Sequence, residues 1–184
     1  GTGSGSGFFA CEKGVVITNA HVIAMLEEGT REPKSVRVYL NHGKSNQQDY
    51  KAAIVKVDRK NDLALLRLPR AYDSSFPEPL QLASTHTTRE TQKVFSLGFP
   101  FGNSIGKEVT VTTIAVSSLR YQNGRINVVQ FAGALNSGNS GGPIVDIAGR
   151  VIGVAVRIIT ERSDGSTISN TGISFGVPCD EVSA

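Results

Sequence analysis

The sequence predicts an all-β fold arranged as a double barrel. Ten short β-rich runs, at 15–18, 36–40, 52–57, 63–68, 94–97, 109–117, 126–131, 144–145, 151–159 and 173–177, are separated by clusters of Gly, Pro, Asn and Asp. The only helical signal is one turn near 20–28. A polar stretch at 82–92, containing Ser84-Thr85-His86-Thr87-Thr88, falls near the middle and reads as the link between barrels. Ten runs suit a double barrel lacking a strand or two, so one domain over 1–184 is expected, with an N-terminal barrel over about 5–85 and a C-terminal barrel over about 90–180.

Composition supports a globular domain rich in turns: 39% of the 184 residues are hydrophobic, 19% are charged and 20 are glycines. Lys plus Arg total 19 against 16 Asp plus Glu, a net charge of +3, and the cations are scattered without a run. That pattern is a mixed, solvated surface and gives no basis for nucleic-acid binding. Cys11 and Cys179 stand far apart, without a C-x-x-C or a His spacing that would hold zinc, so neither a disulfide framework nor a metal site is expected. Both are read as buried free thiols. No apolar stretch reaches the ~18 residues of a membrane span. The glycine- and serine-rich start lacks the basic and apolar regions of a signal peptide, so the sequence reads as a processed or excised domain. Its residues Gly5-Ser6-Gly7-Phe8-Phe9 read as the tight approach to a first strand.

The strongest local signal is Gly138-Asn139-Ser140-Gly141-Gly142-Pro143, a lone serine among glycines ahead of the apolar Ile144-Val145. Glycines there let the backbone turn tightly and aim N–H groups at one point, as an oxyanion hole requires, and the serine is expected to be exposed. A serine hydroxyl is a weak nucleophile unless a histidine takes its proton and a carboxylate orients that histidine. His21 closes the β-branched run 15–18, where a strand delivers it to a barrel rim, whereas His42 reads as a turn residue and His86 as part of the polar link. Asp62 directly precedes the apolar run 63–68; burial there demands a hydrogen-bonding partner, which a histidine N–H offers. Asp58 is the rival carboxylate and reads as a turn acid.

Chain order discriminates between folds. Gly138 to Gly142 also satisfies the G-x-S-x-G pattern of α/β-hydrolases, but no histidine follows Ser140. The subtilisin order needs an aspartate ahead of the histidine, yet the first aspartate is Asp49. The order His, Asp, Ser is that of trypsin-like barrels.

The chain resembles trypsin-like peptidases of the HtrA/Deg branch. The resemblance rests on Gly5-Ser6-Gly7-Phe8, Thr18-Asn19-Ala20-His21-Val22-Ile23, Asp62-Leu63-Ala64-Leu65-Leu66, the turn at 138–143, Gly149-Arg150-Val151-Ile152-Gly153 and Gly172-Ile173-Ser174-Phe175-Gly176-Val177-Pro178. It implies two six-stranded antiparallel barrels with a catalytic cleft between them, a polypeptide substrate bound as an added strand, an acyl-enzyme intermediate and no cofactor. By motif, His21 is the general base and acid, Asp62 holds its tautomer, Ser140 attacks, and Gly138, Asn139 and Ser140 supply oxyanion-hole amides. The resemblance also implies a first specificity pocket near Ala134 and Leu135, narrowed by Ile173 and Phe175. No carboxylate stands there to meet a basic side chain, so small or medium aliphatic residues are expected before the cut. Val154, Ala155 and Val156 are expected along the substrate-pairing strand. Val156 replaces a hydroxyl residue common in the family, leaving Asp62 dependent on His21 and backbone donors. Family members often trimerise and carry one more strand ahead of the Gly-Ser-Gly-Phe segment, and they usually work outside the cytoplasm. The loop 157–171 is expected to be mobile and to bear on the pocket.

Overall fold

The computed structural model describes residues 3–99, 108–136, 138–156, 160–161, 167–168 and 172–182. The first half forms β1 (Phe8–Phe9), β2 (Val15–Thr18), β3 (Val36–Leu40), β4 (Gln48–Asp58) and β5 (Leu63–Arg67), hydrogen-bonded in the order β1-β2-β5-β4-β3. The second half contributes β6 (Lys93–Gly98), β7 (Thr110–Gln122), β8 (Arg125–Ala132), β9 (Pro143–Val145), β10 (Val151–Val156) and β13 (Ile173–Pro178), which close into a six-stranded barrel. Between β10 and β13, the two-residue strands β11 (Thr160–Glu161) and β12 (Thr167–Ile168) pair with each other inside the loop expected to be mobile. The rest of that loop lies outside the described residues, as do residues 157–159 of the run expected over 151–159.

These strands follow side-chain periodicity. Along β6 the burial alternates residue by residue, so Val94 and Ser96 face the barrel interior. Interior residues Val94, Ile114, Val116, Val129, Phe131, Ile144 and Ile152 fill the second core. The first core gathers Val16, Tyr50, Ala52, Ala64, Leu66, Leu68 and Phe76. Eleven-residue β4 pairs with β3 through its first half and with β5 through its second. The register shifts between Ile54 and Lys56, leaving Val55 56% exposed on a bulge.

The two-barrel fold is the one expected, with the first unit the one short of a strand: its described residues form a half-barrel with β1 and β3 at the edges. β1 pairs only Phe8 with Ile17 and Phe9 with Val16 before the chain turns back through Cys11, at φ 67. Two residues span too little to reach β3. A groove of about 980 Å³ opens on that side, lined in part by Phe8, Val36, Val38 and Leu40. The helical signal at 20–28 resolves to one 3-10 turn, His21–Ile23.

A third apolar cluster joins the two units: Phe8, Ile17 and Leu63 from the half-barrel meet Val145, Val151 and Val154 from the barrel. The link is less solvated than its composition suggested. Leu80 N–H donates to Phe9 O at 2.9 Å and Ala83 N–H donates to Val151 O at 2.8 Å, so 80–83 is fastened to both units. Thr85 and Thr88 are buried, and Thr85 bonds Asp180 in the C-terminal turn. The two cysteines are free, as expected, but only Cys179 is buried; Cys11 is exposed because it sits at the β1–β2 turn.

Candidate active site

β2 ends at Thr18, and the 3-10 turn that follows places His21 at the junction of the two units. Asp62 arrives from the tight turn joining β4 to β5. Its φ is 53, a left-handed conformation that aspartate tolerates better than most residues. Three groups fix that backbone: Asn19 Nδ2 donates to Asp62 O at 2.8 Å, Ala20 N–H donates to the same oxygen at 3.2 Å, and the Asn61 amide is tied to Asp58 and Glu181. Asp58 accepts from the Asn61 backbone and side chain, a turn-closing role that keeps it away from the histidine.

The Asp62 carboxylate is committed to His21. Oδ2 lies 2.6 Å from His21 Nδ1 and Oδ1 accepts the His21 backbone N–H at 2.9 Å. With Nδ1–H donated to Asp62, Nε2 is left with its lone pair free to accept a proton. Both carboxylate oxygens are thus occupied by one residue, one by its ring and one by its backbone. Val156, which has no hydroxyl, lines a depression with Asp62 and Phe175.

The serine turn packs against the same region. Ser6 N–H donates to Ser140 O at 2.9 Å, and Gly141 N–H donates to Ala155 O at 2.9 Å. Gly138 and Gly141 have φ of 98 and 83, where other residues are strained. A Cβ on Gly141 would stand 2.3 Å from Ser6 O and 2.4 Å from Thr18 Oγ1, so the turn seats on the half-barrel only through a glycine. Ser140 is 5% exposed rather than open to solvent, because this seating brings the half-barrel over it. Among the hydrogen bonds of the described residues, none joins Ser140 Oγ to His21.

The amides of the turn are not equivalent. Asn139 N–H donates to Asn136 O at 3.1 Å, which corrects the expectation that it serves an oxyanion: it is spent within the turn. The N–H groups of Gly138 and Ser140 have no backbone partner among the described residues.

Of the expected pocket residues, Ala134 and Leu135 lie on a half-buried loop fastened to β13. Gly133 N–H donates to Gly172 O at 2.8 Å and Ser174 Oγ donates to Gly133 O at 2.9 Å. Ile173 pairs with Ala132 beside them and is 49% exposed. Leu135 leans on the second core. Val154 and Ala155 depart from the expected role in pairing substrate. Val154 pairs with Pro143 and Val177, while Ala155 N–H donates to Gly142 O and its carbonyl takes Gly141 N–H. Their backbones are already consumed, which leaves Val156, the last residue of β10, as the remaining expected one.

Residues 5–154 match the family described as trypsin-like peptidase domain. The chain belongs to the trypsin-like peptidases. Within that family it is HtrA/Deg-like. This peptidase domain is 33% identical, over 98% of its length, to Protease Do-like 5, chloroplastic, of Arabidopsis thaliana, and covers 55% of that protein. It is 33% identical, over 95% of its length, to the probable periplasmic serine endoprotease DegP-like of Rickettsia prowazekii (strain Madrid E), covering 31% of it. Among solved structures it matches Deg5 with a TM-score of 0.72 at 31% identity, covering 98% of this chain and 80% of that one. It also matches the HtrA-type protease AlgW with decapeptide at a TM-score of 0.71 and 29% identity, covering 96% and 48%. The peptidase domain therefore spans about half or less of the curated relatives' length.

Sequence reading named His21, Asp62 and Ser140 but gave Asn19 no role. Its signal was a polar residue closing an apolar strand one step before Ala20-His21.

Proposed function

We propose that this peptidase domain hydrolyses peptide bonds with Ser140 as nucleophile, His21 as general base and acid, and Asp62 as the group that holds the imidazole. The observation that carries this reading is the double engagement of His21 by one carboxylate, 2.6 Å through the ring and 2.9 Å through the backbone. That arrangement selects the tautomer whose Nε2 accepts the serine proton. Attack on the substrate carbonyl forms a tetrahedral oxyanion facing the amides of Gly138 and Ser140. His21 then protonates the leaving amine, and water resolves the acyl-enzyme by the same route in reverse.

Unfolded polypeptide is the proposed substrate, laid as a strand beside β10 from Val156 onward. Aliphatic residues are preferred before the cut, because Gly133, Ala134, Leu135 and Asn136 carry no charge. Placement outside the cytoplasm is proposed on the strength of the periplasmic and chloroplastic relatives. No described helix is long and apolar enough to cross a membrane.

A cleft that binds without cutting is favoured by one observation, the missing hydrogen bond between Ser140 Oγ and His21. Such bonds often tighten only when substrate arrives. The test is labelling by a fluorophosphonate probe, which phosphonylates an activated serine, followed by digestion of unfolded casein. Labelling that disappears in Ser140→Ala and His21→Ala, with casein cut after aliphatic residues, is the expected result; a folded, unlabelled protein supports the binding-only cleft.

A further inference from the structure

We infer that Ser6 is a positioning residue for the reaction, holding the two peptide planes, 138–139 and 140–141, that flank the plane of the Ser140 amide and so restraining that amide. The inference rests on the assignment of Ser140 as nucleophile. Ser6 is 5% exposed, and both its hydroxyl and its backbone are hydrogen-bonded. Its hydroxyl donates to Gly138 O at 2.5 Å and accepts from Phe99 N–H at 2.9 Å. Its backbone N–H donates to Ser140 O at 2.9 Å, and its carbonyl takes the Thr18 hydroxyl at 2.7 Å. One residue thus grips the carbonyl two positions before the nucleophile and the carbonyl of the nucleophile itself.

The effect follows from the planarity of the peptide bond, in which C=O and N–H point in opposite directions. Ser6 Oγ holds the Gly138 carbonyl and so fixes the 138–139 plane, whose N–H is the Asn139 amide bonded to Asn136 O. The 139–140 plane is fixed because Asn139 O accepts Gly142 N–H at 2.8 Å, which leaves Ser140 N–H directed away from that bond. Both ends of the 140–141 plane are held, by Ser6 N–H and by Ala155 O. Gly138, at φ 98, has no Cβ to resist rotation of its own peptides. The 138–139 plane is therefore held at its N–H by Asn136 and at its carbonyl by Ser6, in a segment 132 residues away. Ser6 has no contact with substrate in this scheme and acts only through the turn.

Ser6→Ala keeps the backbone bonds and removes only the hydroxyl, freeing the Gly138 carbonyl to rotate. With a peptide ester or amide substrate, kcat is expected to fall about 10- to 100-fold, below or at the 10²–10³ that direct loss of an oxyanion donor costs. KM should stay within about twofold, because ground-state binding is untouched. Affinity for a peptide boronate, whose tetrahedral adduct carries the oxyanion, should fall in parallel with kcat. Ser6→Thr, which retains the hydroxyl, should recover most of both. Thr85→Val, distant from the site, should lower the melting temperature without lowering kcat of the folded protein. A Ser6→Ala enzyme with kcat and boronate affinity within about twofold of the parent overturns the inference, and so does a loss that only tracks the unfolded fraction. Those outcomes leave the site assignment standing if Ser140→Ala abolishes probe labelling. If Ser140→Ala labels like the parent, the site assignment falls and takes the role of Ser6 with it.

Discussion

At the scale of single residues, the site depends on a few polar groups with no spare partner. Asp62→Asn preserves shape but offers His21 Nδ1 an amide, which selects the wrong imidazole tautomer. On the proposed mechanism, kcat at neutral pH should fall about 10⁴-fold, with the fold retained by circular dichroism. Asn19 is fully buried and its Nδ2 clasps Asp62 O. Asn19→Ala should cost about 1 kcal/mol in urea unfolding, as Asp62 O loses one of its two partners and keeps only the longer bond from Ala20 N–H. The cysteines offer a chemical check. Burial pushes the Cys179 thiol up to about 12, so it stays protonated and shielded, while Cys11 is exposed. Native protein treated with maleimide at pH 7.5 should carry one label, on Cys11, and gain a second only in denaturant. The His21–Asp62 contact was legible in the sequence, because a strand-terminal histidine and a carboxylate abutting an apolar run are local patterns, and the role proposed for Ser140 rests on a local pattern too, the glycine-flanked turn. Ser6 and the internal commitment of the Asn139 amide were not, because each depends on where the chain returns in space.

At the scale of elements, most strands were readable as runs, three-residue β9 included, though the long β4 and β7 extend beyond the runs that marked them. The runs at 15–18 and 36–40 coincide with β2 and β3, since β-branched residues and alternation mark them clearly. β1 has two residues and β11 and β12 two each, too few for a period to show. The β9–β10 hairpin illustrates a turn held by one side chain. Asp146 is 4% exposed; Oδ1 accepts the N–H groups of Ala148 and Arg150, each at 2.9 Å, and Oδ2 accepts Arg150 Nε at 2.9 Å. Burial works to raise its pKa, but the amides and guanidinium outweigh it and hold the carboxyl below its ordinary value. A pKa lowered by folding contributes stability above the unfolded carboxylate value and loses it as pH falls through the folded one. Asp146→Asn should therefore lower the melting temperature by about 5 °C at pH 7. That gap should start to narrow below about pH 4, where the unfolded chain's carboxylate takes up a proton, and close as pH falls through the lower folded value.

At the scale of the whole molecule, the half-barrel and the barrel are joined by apolar packing and by strands that hand over hydrogen bonds. Ile17 is 3% exposed in the joining cluster, and Ile17→Ala should cost about 3 kcal/mol through lost burial and the cavity left behind. Far-ultraviolet ellipticity and esterase activity should be lost together in urea, because the site is built from both sides of that joint. The closed second barrel was legible as a string of alternating runs, and a count of ten runs left a strand or two missing; that the gap falls between β1 and β3 was not legible, since composition says nothing about whether a two-residue strand reaches its neighbour.

The bonds that seat the serine turn connect Ser6, itself tied to Thr18, with Gly138 and Ser140 more than 130 residues further along. A ribosome delivers the histidine and aspartate long before the serine, and the glycine turn has nothing to rest on until the early half has folded. On the proposed mechanism, a nascent or half-unfolded copy is therefore expected to be silent until residues 138–141 have docked on the half-barrel, so the order of synthesis itself would guard against self-destruction.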